Sequence, residues 1–275
     1  MMTYNKICFL DRNAIGTIDL FLNYRKKNER ILQQRMPRIK RIDKPYNIVS
    51  SLLSIMEGVK GLNETKGDKE KAIISDSHIL KFFKKAKTDA STNMILKEKI
   101  KELQLGRHEE NFFQCIDFYK SVHNLLINEM PISNARKKDI IIIDKARENG
   151  IDIHHPIVLL CLAAMYKNKF ARNILKIKPV CRDSDIYNAI SDVLAITRLI
   201  LISNMIYTHK MANFVDFITF DKALEKIWES FSSYTSILTK KPNDIIHTVE
   251  LYNIRSLFRH LSERQYFEII DKLKK

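Results

Sequence analysis

Glycine and proline are scarce in this chain of 275 residues, with six of each, well under the usual shares of about 7% and 5%. So few breakers leave long uninterrupted elements, which favours helix. Cysteine is scarce too: Cys8, Cys115, Cys161 and Cys181 are far apart, form no Cys-x-x-Cys pair and sit mostly in apolar contexts. That excludes a disulfide scaffold and predicts reduced core thiols in a cytoplasmic protein. The N-terminus offers only Lys6 before a short apolar run that meets Asp11, too little for a signal peptide. The longest apolar stretch, residues 189–207, contains Asp192 and Arg198, either of which is costly at a bilayer centre, so no membrane span or membrane partner is expected. No internal repeat is present, which sets aside solenoids.

Apolar residues make up 45% of the chain, enough to offset chain entropy and exclude wholesale disorder. Basic residues outnumber acidic ones by 47 to 32, a formal charge of +15, and such a field attracts polyanions, nucleic acid above all. The excess is clustered. Between residues 25 and 44, nine basic side chains face only Glu29 and Asp43, a net +7. The plainer reading of that run is a solvated helix face and loop.

Local patterning suggests a mixed chain. Residues 5–10 (NKICFL) suit a short buried strand ending at Asp11, and residues 14–34 then follow a loosely helical spacing. The stretch 46–60 follows Pro45, puts Ile48, Leu52, Ile55 and Val59 on one helical face and stops near Gly58 and Gly61, which predicts a helix with Glu57 near its end. Residues 62–92 are polar and lysine-rich and read as including an exposed loop before a helix; 94–127 and 135–177 read as helical, including the run Ile140, Ile141, Ile142 and Ile143, which a buried strand also fits. Residues 185–206 predict a strong helix, capped by Asp183 or Ser184, with Asp185, Asn188 and Asp192 on one face. Residues 214–220 (FVDFITF) alternate like a strand and end at Asp221. The tail from 224 onward predicts two or three helices with Trp228, Leu251, Ile254, Leu257 and Phe267 facing inward.

Two acids therefore end strands, and Glu57 and Asp192 interrupt otherwise apolar helices. Carboxylates that converge in one crevice repel, and a divalent cation is the simplest compensation. Oxygen ligands without neighbouring His or Cys select Mg²⁺ or Mn²⁺ over Zn²⁺. His154 and His155 precede Pro156 and read as a helix start.

The pieces FLDRN, SLLSIMEG, SDVLAIT and FITFD, in that order, resemble the PIN-domain nucleases. Asp11 and Asn13 look like that family's opening Asp-x-Asn, Glu57 like its helical acid, Asp192 like its third acid, and Thr219 and Asp221 like its closing Thr-x-Asp. Arg12 departs from the small hydroxyl residue usual there, and the gap from Glu57 to Asp192 implies an insertion. Asp185, on the same face as Asp192, is the alternative third acid; Asp183 is also near, and Asp216 is a candidate auxiliary. The resemblance implies an α/β fold, a PIN-like small parallel sheet flanked by helices. Its nuclease core would span 1–61 and 178–226, with a mainly helical insertion at 62–177 and a helical C-terminal extension at 227–275. It also implies that Asp11, Glu57, Asp192 and Asp221, with Asp185, gather Mg²⁺ or Mn²⁺ for hydrolysis of RNA phosphodiesters, Asn13 and Thr219 supporting. Arg35, Arg38, Lys40 and Arg41 are the candidates for contacting the RNA substrate's phosphates. A toxin or defence role is typical of such nucleases; a homo-oligomer and an inhibitory protein partner stay open. The competing expectations are a non-catalytic basic helical protein that binds nucleic acid, and a structure-specific DNA nuclease using the same acids.

Overall fold

In the computed structural model, which describes residues 4–23, 29–57, 65–89, 112–231 and 251–274, the apolar run before Asp11 is a strand, β1 (Tyr4–Leu10). Two compact units divide the chain: Met1–Arg107 with Met205–Glu225, and His108–Asn204 with Lys226–Lys275.

The first unit is α/β. After β1 come α1 (Arg12–Leu22), α2 (Glu29–Arg41), β2 (Asn47–Ser50), α3 (Leu52–Glu57), α4 (Lys66–Leu80) and β3 (Lys87–Thr88), and later β4 (Ala212–Ile218). The four strands form one parallel sheet in the order β3-β2-β1-β4. Cys8 and Leu10 of β1, Val49 of β2 and Ile218 of β4 pack against Ala14, Ile15 and Ile18 of α1, Leu32, Met36 and Ile39 of α2, and Ile79 and Leu80 of α4. The alternate residues Ile7, Phe9, Ile48 and Phe217 are buried as well, as a parallel sheet requires on both faces. The Cys8 thiol accordingly has its pKa pushed up to about 12 by burial, with the Asp216 charge adding to it. All four cysteines are free thiols, three of them buried and Cys181 half-buried.

The sequence pattern misassigned one segment here and missed a short strand in another. Residues 46–60 were expected to be one helix, but Asn47–Ser50 is strand β2. Ile48 and Val49 are β-branched and buried on opposite faces beside Ile7 and Cys8, so sheet pairing overrides the helical spacing; Gly58, Val59 and Gly61 lie outside the described residues. The stretch 62–92 contains helix α4, begun by a capping box in which Thr65 and Asp68 each accept the other's backbone N–H, followed by the two-residue β3. Asp43 locks that connection by accepting the N–H groups of Lys84, Lys85 and Ala86 at 3.1, 2.8 and 2.8 Å. Burial opposes ionisation of Asp43, yet these bonds outweigh it and hold its carboxyl below the ordinary value. Helix α2 runs through Pro37, which lies on the exposed side opposite Leu32, Met36 and Ile39.

Helices alone make up the second unit among the described residues: α5 (Phe112–Leu126), α6 (Ile132–Glu148), α7 (Pro156–Met165), α8 (Lys169–Ile174), most of α9 (Asp183–Thr208), the end of α10 (Lys222–Phe231), a 3-10 helix (Leu251–Phe258) and α11 (Glu263–Leu273). All ten residues of α7 are buried; a helix apolar on every side is a core helix. His155 caps it, its Nδ1 accepting the Ile157 N–H at 3.2 Å, so the histidine pair begins a helix. The isoleucine run is helical, with Ile142 and Ile143 buried and Ile140 and Ile141 exposed. Residues 94–111 lie outside the described set, and α5 occupies the rest of the helical pattern that continues to 127.

Neither Asp183 nor Ser184 caps α9. Both lie inside the helix, whose first backbone bonds run from Asp185 and Ile186 to the Arg182 carbonyl, while Asp185 Oδ2 accepts the Arg182 N–H at 3.1 Å. By length and composition alone α9 is long and apolar enough to cross a bilayer, with mean hydropathy 1.7 over an 18-residue stretch, but 67% of that stretch is buried inside the protein, as in a core helix. Trp228, Ile254 and Leu257 are buried as expected, whereas Phe267 is 50% exposed because the buried face of α11 carries Tyr266, Ile269, Ile270 and Leu273. The side chain of Leu251 lies outside the described set.

The second unit's polar anchor is Asp139 on α6, 1% exposed. Its carboxylate accepts the Tyr166 hydroxyl at 2.8 Å and the Lys272 ammonium at 2.7 Å through both oxygens. Burial foremost, then this carboxylate, pushes the Tyr166 pKa upward. Replacing Asp139 with Ala leaves the buried Tyr166 hydroxyl without its acceptor and Lys272 with the Arg136 carbonyl in place of its ion pair, and is expected to lower unfolding free energy by about 3 kcal/mol in a urea titration; Tyr166→Phe is expected to cost about 1 kcal/mol.

Candidate active site

The carboxyl edge of the sheet is built by strands that each end in a polar residue. Leu10 gives way to Asp11, Val49 to Ser50 and Ser51, Thr88 to Asp89, and Ile218 to Thr219 and then Asp221. Asp11 is 4% exposed and caps α1, its Oδ1 accepting the Ala14 N–H at 2.7 Å. Its own N–H donates to the Ile218 carbonyl at 3.2 Å, tying the end of β1 to the end of β4. Glu57, the last residue of α3, accepts the Arg12 N–H at 3.3 Å. Two of the expected acids thus converge on the first turn of α1, where unpaired N–H groups and the helix dipole favour negative charge.

Asp221 repeats the arrangement beside it, its Oδ1 accepting the N–H groups of Ala223 and Leu224 at 2.7 and 3.1 Å at the start of α10. Thr219, fully buried, accepts the Asp221 N–H through Oγ1 at 3.0 Å and fixes the turn. Asn13 is exposed and contributes its carbonyl to Thr17 Oγ1 at 2.8 Å. Asp216, inside β4, pairs with Lys6 of β1 at 3.1 Å.

Two further acids, absent from the sequence-based expectation, belong to the same edge. Asp76 on α4 is 1% exposed; its Oδ1 receives an Arg12 guanidinium N–H at 3.3 Å, and the same Arg12 nitrogen donates to Ser54 at 3.3 Å. The other oxygen, Oδ2, is buried with no hydrogen-bond partner. Burial raises the Asp76 pKa although Arg12 opposes it. Asp89 Oδ2 accepts the Ser51 N–H at 2.8 Å and the Ser50 hydroxyl at 3.2 Å. Burial first, with a contribution from the Asp76 charge, lifts the Asp89 pKa to about 6. A strand followed by Thr and Asp was the available signal for Asp89, as at Thr219 and Asp221, but a two-residue strand carries too little pattern to be noticed.

Of the expected phosphate contacts on α2, Arg38 is committed to the fold: it donates to the Thr219 and Phe217 carbonyls at 3.1 and 3.3 Å and pairs with Glu225 at 2.7 Å. Arg35 donates to Thr17 at 3.3 Å and lies 4.8 Å above the Phe220 ring. Lys40 and Arg41 are exposed, Lys40 with its ammonium 5.1 Å from the Phe21 ring centroid.

Asp192 and Asp185 belong to the second unit. There Asp192 pairs with Lys176 at 2.9 Å and Asp185 with Lys178 at 2.8 Å. Lys178, followed by the Arg182 N–H, holds the Asp185 carboxyl below its ordinary value.

The donors at the sheet edge are carboxylates and hydroxyls, chemistry suited to Mg²⁺ or Mn²⁺, and the unpartnered Asp76 Oδ2 fits a cation. Among the described residues no group of three or more His, Cys, Asp and Glu side chains is gathered closely enough to hold a metal by itself. Mg²⁺ commonly binds through one or two carboxylates and keeps several waters, with substrate phosphate completing its shell. Comparison of the chain with family models, curated proteins and solved structures finds no match.

Asp89 provides a test of the edge's electrostatics. Folded, it keeps its proton to about pH 6, against an ordinary 3.8, so between those values the folded state binds more protons and stability falls as pH rises. Asp89→Asn retains an acceptor for Ser51 and removes the charge. Urea titrations at pH 4 and pH 8 are expected to show a loss roughly 1–3 kcal/mol smaller in the variant than in the parent, the raised Asp76 pKa acting on both. A variant less stable than the parent at pH 8 would contradict the assignment.

Proposed function

We propose that the chain is a PIN-like, Mg²⁺- or Mn²⁺-dependent endoribonuclease whose site lies at the carboxyl edge of the parallel sheet. The observation that carries this reading is the position of Asp11 and Asp221, at the ends of the adjacent strands β1 and β4, where the strand order reverses. In open α/β sheets the crevice outside that reversal is where ligands bind. Asp11 and Asp221 would hold the ion, with Glu57 beside Asp11 at the start of α1. When bound, the ion activates the attacking water and neutralises charge developing on the phosphate. Arg12, oriented by Ser54 and Asp76, adds a fixed positive group next to those acids where the family usually carries a small hydroxyl. The exposed Lys40 and Arg41 supply phosphate contacts that position RNA without reading its sequence.

A second reading has its own support. Asp11 and Asp221 already serve as helix caps, and Arg12 already compensates Asp76, which suits a non-catalytic protein that binds RNA through its basic surface.

Cleavage assays separate the two. Asn caps helices as well as Asp does, so the double variant Asp11→Asn, Asp221→Asn keeps the fold and loses two charges. Mg²⁺- or Mn²⁺-dependent cleavage of a folded RNA is expected to drop by on the order of a hundredfold or more, with circular dichroism unchanged. RNA binding by the parent chain with no cleavage in either metal, and no effect of EDTA, would favour the second reading.

A further inference from the structure

The second unit contains a pocket of about 190 Å³ on which positive charge converges from three parts of the chain. Lys167 and Lys169 flank Asn168 between α7 and α8, Lys226 comes from α10, and Arg259 and His260 follow the 3-10 helix. Phe170, Ile227 and Leu257 supply its apolar lining. Lys226 shares its charge with Glu229 at 2.7 Å, and Lys169 lies 5.1 Å from the Phe170 ring centroid. Lys167 and Arg259 are exposed and have no carboxylate partner among the described residues.

A buried polar atom points the same way. Ser256, which lines the pocket, has its hydroxyl oxygen buried with no hydrogen-bond partner among the described residues, an arrangement that native proteins rarely leave without a ligand or water. His260, beside it, is hydrogen-bonded to the Tyr166 backbone, which favours its charged form, but burial and the charges of Arg255 and Lys167 outweigh that bond and hold its pKa below the ordinary value.

The dimensions and the charge select the ligand. A volume of 190 Å³ is below the roughly 300–1,000 Å³ of pockets that enclose a whole small molecule, so it accepts a group. Four cations around it, with Glu229 the single acid paired to them among the described residues, leave a surplus that a dianion neutralises better than a monoanionic diester. We propose that this pocket binds a phosphoryl dianion, free or at the end of a monoester, through Lys167, Lys226 and Arg259 with the Ser256 hydroxyl as a further hydrogen-bond donor. The proposal is independent of the nuclease reading, since none of these residues belongs to the first unit and its test reads binding alone.

Isothermal titration of the intact chain with inorganic phosphate, adenosine 5′-monophosphate and adenosine tests it. Both phosphoryl compounds are expected to bind at one site and adenosine is not; the tighter of the two identifies free anion or ester as the preferred source. Lys167 has φ 66°, the region that favours glycine, so Lys167→Gly removes the charge without straining the backbone. That variant and the exposed Arg259→Ser are each expected to weaken phosphoryl binding about tenfold, while Lys44→Ser in the first unit leaves it unchanged. No binding of either phosphoryl compound, equal binding of adenosine, or a loss in Lys44→Ser matching that in Lys167→Gly would overturn the proposal.

Discussion

The parallel pairing of β4 with β1 is the constraint on which the first unit depends. β1 pairs with β2 on one side and with β4 on the other, so the direction of strand addition reverses across it. Because all the strands run the same way, their carboxyl ends share an edge, and each polar residue that stops a strand is delivered there. The backbone bond from Asp11 N–H to the Ile218 carbonyl carries the pairing past the last strand residues and sets the two turns side by side. Arg38 then ties α2 to the same place by donating to the Phe217 and Thr219 carbonyls. A charged residue is thereby spent on the frame.

That edge collects more negative charge than a buried surface tolerates unaided. Its compensation comes from two kinds of positive group within the unit. Backbone N–H groups at the start of α1 take Asp11 and Glu57, those at the start of α10 take Asp221, and Ser51 supplies one to Asp89. The Arg12 guanidinium serves Asp76. At Asp89 burial outweighs the bonds from Ser50 and Ser51 and, with the Asp76 charge adding to it, moves the titration toward neutrality. A divalent ion at this edge adds to an arrangement that the backbone already stabilises in part.

The frame was legible where a pattern was long or a residue unusual. β1 was readable from one short run because Ile7, Cys8, Phe9 and Leu10 are all buried, and α9 because its apolar residues continue for seven turns. β2 was hidden: Ile48, Leu52 and Ile55 do fall at helical spacing, yet the first lies in a strand and the others in the next helix. β3 was too short to see, and with it Asp89. For the site, Asp11, Glu57 and Asp221 came from local spelling and meet the same edge. Asp76 could not be found that way, because its importance arises from a contact with Arg12, 64 positions away. Asp192 and Asp185, the acids that stand out on an apolar helix, lie in the second unit and pair there with Lys176 and Lys178.

Calorimetric titration of the intact chain with Mn²⁺ addresses the central claim without requiring the RNA substrate. The account predicts saturable binding at the sheet edge that is lost in the Asp11→Asn, Asp221→Asn variant and kept in Lys44→Ser, an exposed residue of the first unit with no role in holding the ion. Identical Mn²⁺ binding by the parent and the double variant would contradict it, since the strand-terminal aspartates would then have no part in holding the ion.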